Sequence, residues 1–232
     1  WGRRLALPFS EEVRFAGRSL SGFGPARICH LGLARTFQIP RPFSRLTVEE
    51  NLRAAALAHA VPPAGPGRLR PGEPRVRPGE PGFLRSLPPR ERARWALSET
   101  GLFPSTHLPA GSLTAAGRKR LEFARALATG PRLVLLDEVA AGLTPTETRE
   151  AVTAIRAARA AGVTLLIVEH VIEVVVRLCD RLVVLDRGRI LAQGHPASVL
   201  RDPAVRLAYL GGPPKDSPPD SRPADEEGAL PA

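Results

Sequence analysis

The chain has 232 residues, 43% hydrophobic, 5% aromatic and 24% charged. That is enough apolar material for one or two domains with a proper core, and too much charge for a membrane-embedded chain. Thirty-three basic against 23 acidic residues leave a net charge of +10. Nearly all of the positive charge is arginine, because Lys119 and Lys215 are the only lysines. No long basic block is interleaved with aromatics, so the charge reads as a bias toward Arg, Ala, Pro and Gly, and no nucleic-acid partner is expected. The longest apolar runs, such as 171–176, are interrupted by charge and fall far short of the roughly 18 residues that span a bilayer, and no secretory signal is evident. Cys29 and Cys179 are too few for a disulfide framework, which makes a reducing cytosol the expected compartment.

In chain order, residues 12–18 (EVRFAGR) predict a short strand and turn, and 25–31 a helix with Gly32 just beyond it. Thr47-Val48-Glu49-Glu50 is a capping box that opens a helix to about residue 59. Residues 61–90 are crowded with Pro, Gly and Arg and contain RPGEP twice, at 70–74 and 77–81. Each proline removes a backbone donor, so an exposed, extended insertion is expected there. Helices follow at 91–101 and 118–129. Residues 132–137 (RLVLLD) form an apolar run ending in acid, as in a strand buried on both faces. A second capping box with proline at the first helical position, Thr144-Pro145-Thr146-Glu147, starts a helix to about residue 161. A second buried strand is expected at 163–168, a helix at 171–178, and strands at 182–186 and 189–193. Apolar strands joined through capped helices indicate an α/β fold with a parallel sheet. From 212 the chain is Pro-rich and reads as a disordered tail.

The adjacent carboxylates Asp137 and Glu138 follow a buried strand. At such an edge the first suits a magnesium ion and the second can orient or deprotonate an attacking water. Upstream, small residues in Leu113-Thr114-Ala115-Ala116-Gly117 precede a helix, where backbone N–H groups can approach an anion. Downstream, Val168-Glu169-His170 sets a histidine past the next strand, on the same sheet edge as the carboxylates. Gln38, in Arg35-Thr36-Phe37-Gln38, lies at the entry to the helical stretch. Arg118–Arg120 reads as a solvated helix face or a phosphate clamp. His30, His59, His107 and His195 have no partners at ligand spacing, so no structural metal site is expected.

With ARTFQ at 34–38, LTVEENL at 46–52, the 113–117 stretch, LVLLDE, AAGLTP, VEH and the closing AYLG at 208–211, the sequence resembles the ATP-binding subunits of ABC transporters. The resemblance is to the branched-chain amino-acid importer type and covers about residues 11–211. It implies a P-loop NTPase-like (RecA-like) parallel sheet core with an inserted α-helical subdomain. On that basis 1–44 and 131–211 are the two parts of the ATPase core, 45–130 is the helical subdomain with its 61–90 insertion, and 212–232 is the tail. The resemblance implies ATP and Mg²⁺ as cofactors, with Gln38 and Asp137 at the metal and nucleotide, Glu138 as catalytic base and His170 as γ-phosphate sensor. Thr114, Ala115, Ala116 and Gly117 fall on the signature that contacts ATP held by a second ATPase subunit. Transmembrane permease subunits are implied as further partners, with the chain cytoplasmic and peripheral on the inner face of the cell membrane.

Three departures stand out. The family's phosphate-binding loop, G-x-x-x-x-G-K-[ST], is not among the 232 residues; it is expected upstream of 12–18, in a chain that begins at Trp1 and reads as N-terminally incomplete. LTAAG replaces the usual LSGGQ, and Val139 replaces the usual proline after the acidic pair. Three readings follow: the ATPase subunit of an importer, a non-catalytic subunit that lends only its signature, or a soluble nucleic-acid-associated relative.

Overall fold

The structure, a computed structural model, describes residues 12–58 and 76–210. The first RPGEP repeat, most of the Pro/Gly/Arg-rich stretch and the tail from 212 lie outside the described residues. The chain divides into two compact units, one up to Leu178 and one from Cys179.

The first unit begins with a hairpin of β1 (Arg14–Phe15) and β2 (Arg18–Ser19). Its turn residues Ala16 and Gly17 take φ values of 50° and 77°, the left-handed pair that a two-residue turn needs. Helix α1 (Pro25–His30) starts on proline, which loses no helical hydrogen bond at that position. β3 (Leu33–Arg35) follows. The sequence pattern did not predict it, since three residues are too few to carry a period.

The helical stretch consists of α2 (Val48–Ala58), α3 (Phe83–Ser86), α4 (Pro89–Glu99) and α5 (Ala115–Ala128). α2, α4 and α5 pack on one another through buried Val48, Leu52, Ala96, Leu97, Leu121 and Leu127. Two polar side chains share that interior. Asn51, fully buried, accepts from the Phe43 N–H at 2.9 Å and donates to the carbonyls of Phe43, Leu46 and Thr47. Arg92, 3% exposed, donates through Nε to Ala128 O at 2.6 Å and through Nη2 to Ala56 O at 2.9 Å. Burial pulls its pKa down to about 10, with Arg85 adding to the effect. It therefore stays a cation, placed where the partial negative charge of two helix C-termini favours one.

Residues 76–90 differ from the extended chain expected there. Leu84 of α3 is 1% exposed, and one buried leucine is worth about 1.5–3 kcal/mol, enough to fold a short turn of helix onto the body. Helix α4 starts two residues earlier than predicted because Pro89 is a good first helical residue. Helix α5 starts three residues earlier because the Thr114 hydroxyl accepts from the Gly117 N–H at 3.0 Å and caps it.

β4 (Leu133–Asp137) is central in a three-stranded parallel sheet of order β3-β4-β5, with β5 at Thr164–Val168. Register pairs Arg35 with Leu135 and Asp137 with Val168. Between β4 and β5 runs α6 (Pro145–Ala160), with both arms of the Thr144/Glu147 capping box formed. α7 (Ile172–Leu178) follows β5. Val134 and Leu136 are buried in β4 as expected. β5 is not buried on both faces: it is the edge strand among the described residues, and Leu166 and Val168 are 57% and 61% exposed.

The second unit is an antiparallel hairpin of β6 (Leu182–Asp186) and β7 (Arg189–Gly194). It turns at Arg187 and Gly188, both at positive φ. Helices α8 (Pro196–Val199) and α9 (Pro203–Val205) follow. Val184, Val199 and Val205 form its small core. No helix among the described residues is long and apolar enough to cross a membrane.

Candidate functional site

The C-terminal ends of β3, β4 and β5 lie side by side, because the three strands are parallel and in register. The segments leaving them therefore meet, although residues 38, 138 and 170 are far apart in sequence. Thr36, 5% exposed, fixes the first two strands to each other: its N–H donates to Leu135 O at 3.0 Å. Just beyond it, Gln38 Nε2 donates to Glu138 Oε2 at 2.8 Å. His170 Nδ1 lies 3.9 Å from Glu138 Oε1 on the other side of the carboxylate. That is too long for a hydrogen bond and close enough for an ion pair when the ring is protonated. Asp137, one residue back, receives Arg35 Nη2 at 3.2 Å.

Glu138 has φ 47°, a left-handed conformation that costs a non-glycine residue about 1–3 kcal/mol and that clusters at functional sites. Its N–H still donates to Val168 O at 3.0 Å, so the β4–β5 ladder continues while the side chain turns toward Gln38. The carboxylate remains 36% exposed and the His170 ring 66%. A water within reach of Glu138 could lose a proton to it, while the Gln38 amide and the imidazole hold the carboxylate in place.

The signature residues are divided. Thr114 and Ala115 are exposed, whereas Ala116 and Gly117 are buried in the first turn of α5. The stretch expected to precede the helix is thus its capped first turn, and Ala116 lines the same small, mostly apolar cavity as Gln38, Asp137 and Glu138.

Arg118–Arg120 form neither a free basic face nor a clamp. Arg118 donates to Leu113 O, Arg120 pairs with Glu150 at 3.0 Å, and Lys119 Nζ donates to Glu138 O at 3.3 Å and to Ala141 O. Glu169, quoted in the sequence only as a neighbour of His170, has a fully buried side chain. Its Oε1 accepts from the Ala140 N–H at 2.7 Å and its Oε2 from the His170 N–H at 3.0 Å. Sequence reasoning passed over Glu169 and met Lys119 only as the middle of Arg118–Arg120; a further signal for Lys119 was its rarity in an arginine-rich chain. No cluster of three or more His, Cys, Asp or Glu at metal-binding distance occurs among the described residues.

Known proteins match this chain in sequence and fold. A family model described as ABC transporter matches residues 4–141, and one described as Branched-chain amino acid ATP-binding cassette transporter matches residues 189–214. The high-affinity branched-chain amino acid transport ATP-binding protein BraF of Pseudomonas aeruginosa is 35% identical over 208 residues, covering 88% of this chain and 77% of BraF. LivG of Escherichia coli K12, named for the same transport role, is 33% identical over 206 residues at the same coverage. Among solved structures, an ATP-binding cassette of an ABC transporter in its ADP conformation superposes with a TM-score of 0.66 at 29% identity, covering 86% of this chain and 76% of that one. The parallel sheet with interposed helices is accordingly the P-loop NTPase-like α/β fold of those cassettes. With one family model spanning more than half of its residues and relatives a third identical over most of its length, the chain belongs to the ABC transporter family.

Proposed function

We propose that the chain is the ATP-binding subunit of a transporter for branched-chain amino acids or related solutes, and that hydrolysis of ATP at the Gln38–Glu138–His170 cluster drives uptake. The observation that carries this is the Glu138 carboxylate, bracketed by an amide 2.8 Å away and an imidazole 3.9 Å away, with an outer face open to solvent. In this reading Glu138 takes the proton of the attacking water. His170 offers its ring to the γ-phosphate, and Gln38 holds the base. Thr114 and Ala115, the exposed pair, present the start of α5 to a nucleotide held by a second subunit, with Ala116 and Gly117 packed behind them, as the positive end of a helix dipole favours.

The donor set at Asp137 and Gln38 fits Mg²⁺. With Nε2 of Gln38 committed to Glu138, its amide oxygen is left as one hard ligand, and Asp137, whose Oδ2 receives Arg35, offers its carboxylate as the other. Two such oxygens are what magnesium uses when phosphates and water fill the other positions. Bound there, the ion would neutralise charge on the phosphate oxygens. Partners in this reading are a second ATP-binding subunit and membrane-spanning permease subunits, with the chain at the cytoplasmic face of the membrane.

The G-x-x-x-x-G-K-[ST] cradle is not among the 232 residues, so the assay uses the assembled transporter. Glu138→Gln should lower MgATP hydrolysis by about 100-fold or more, as loss of a general base does, and leave the unfolding midpoint unchanged. Hydrolysis at the unsubstituted rate would overturn the reading.

A further inference from the structure

Two charged side chains touch the site without a role in the reading above. The Glu169 carboxylate, with no exposed surface, binds backbone N–H groups on two segments. Oε1 receives Ala140 N–H at 2.7 Å, and Oε2 receives His170 N–H at 3.0 Å and Val171 N–H at 3.4 Å. One anion thus joins the turn after Glu138 to the turn that carries His170. Lys119, just over one helical turn past the Thr114 cap of α5, reaches the same turn. Its ammonium donates to the carbonyls of Glu138 and Ala141.

The turn between these two charges is tight. Ala141 N–H closes it onto Glu138 O at 3.3 Å, and Glu138 sits at φ 47°. A non-glycine residue keeps that conformation only where its surroundings over-determine it. Here the surroundings are complementary: the anion takes an amide hydrogen, the cation takes the carbonyl oxygens, and charged partners make the stronger hydrogen bonds. Glu169 Oε2 also lies 3.6 Å from His170 Nδ1, beyond hydrogen-bond length, while the hydrogen bonds of both charges go to main-chain groups. Both act on the backbone that aims the Glu138 carboxylate.

We infer that Glu169 and Lys119 are positioning residues for hydrolysis. Glu169 keeps the Glu138 turn aligned with His170, and Lys119 ties the same turn to the helix whose first residues are Thr114–Gly117. This rests on Glu138 being the base, as proposed above.

The test is steady-state MgATP hydrolysis by the assembled transporter. Lys119→Met and Glu169→Gln should each lower kcat by about tenfold or more while KM for ATP stays within about twofold, the pattern of an interaction realised in the transition state. Lys119→Arg, which can still donate to both carbonyls, should recover most of the loss. Hydrogen–deuterium exchange at residues 138–142 should quicken about tenfold in the two impaired variants, with an unchanged unfolding midpoint. Should Glu169→Gln fail to fold, Glu169→Asp takes its place: a lowered kcat supports the inference and an unchanged kcat overturns it. Glu138→Gln is run beside them. If it is inactive while Lys119→Met and Glu169→Gln hydrolyse ATP normally, the positioning role is overturned and the base survives. If Glu138→Gln is fully active, the base assignment falls, and this inference with it.

Discussion

The helical stretch and the strand-end site both hold polar side chains in tight geometry, and they do so in opposite ways. In the helical stretch, Asn51 and Arg92 are almost wholly enclosed, and every hydrogen bond they make is to a backbone group. At the strand ends, Gln38, Glu138 and His170 lean on one another while part of each remains open to solvent. A buried group whose partners are all backbone fixes architecture and has nothing left to offer a ligand. A half-open group held by other side chains keeps lone pairs and protons available. The Glu138 turn joins the two kinds, because Glu169 and Lys119 hold its backbone in the manner of Arg92 while its side chain faces outward.

If the helical stretch is architecture in this sense, damage there should appear in stability first. Arg92→Ala is the most severe case. It opens a cavity and removes the Arg92 hydrogen bonds to the Ala56 and Ala128 carbonyls, and should cost about 3–5 kcal/mol in urea unfolding. A loss below about 1 kcal/mol would erase the contrast with the site. Asn51→Leu comes next, at about 2–3 kcal/mol, because the Phe43 N–H and three carbonyls lose a partner at once. Its check is the thermal midpoint, followed across a series that includes Asn51→Asp to separate loss of the donors from loss of the acceptor.

The smallest effect belongs to the cap of α6. Backbone and hydroxyl hydrogen bonds from Thr144 hold the exposed Glu147 carboxyl below its ordinary 4.5. In that window the unfolded chain binds more protons than the folded one, so the stability from this group is complete above 4.5 and is lost as pH falls through the lower folded value. Titrating the Glu147 side-chain carbon by NMR should give a value under 4.5, and Thr144→Ala, which removes the hydroxyl bond and keeps the stronger backbone one, should raise it part of the way back.

Much of the fold could be read from particular residues. The two capping boxes announced α2 and α6, since threonine and glutamate three residues apart have a specific task at a helix start. The apolar run before Asp137 announced β4. β3 escaped because it is three residues long. α3 escaped because its one buried leucine sits among prolines, glycines and arginines, where composition argues for exposure. At the site, Glu138 and His170 were legible as polar residues just past apolar strands, and Gln38 as an amide at the entry to the helical stretch. Lys119 and Glu169 were not, because what they bind is the backbone of a turn whose left-handed residue leaves no trace in a hydrophobic pattern.

One contact far from the site sets a boundary on how the chain can vary. Gly162, at φ 82°, meets the backbone of Gly79 and Glu80 so closely that a β-carbon would stand 2.3 Å from the Glu80 carbonyl oxygen. The arginine- and proline-rich stretch is therefore moored to the end of α6 at residues 79–80. A side chain at 162 would cast that line off, so the glycine and the 79–80 backbone can change only together.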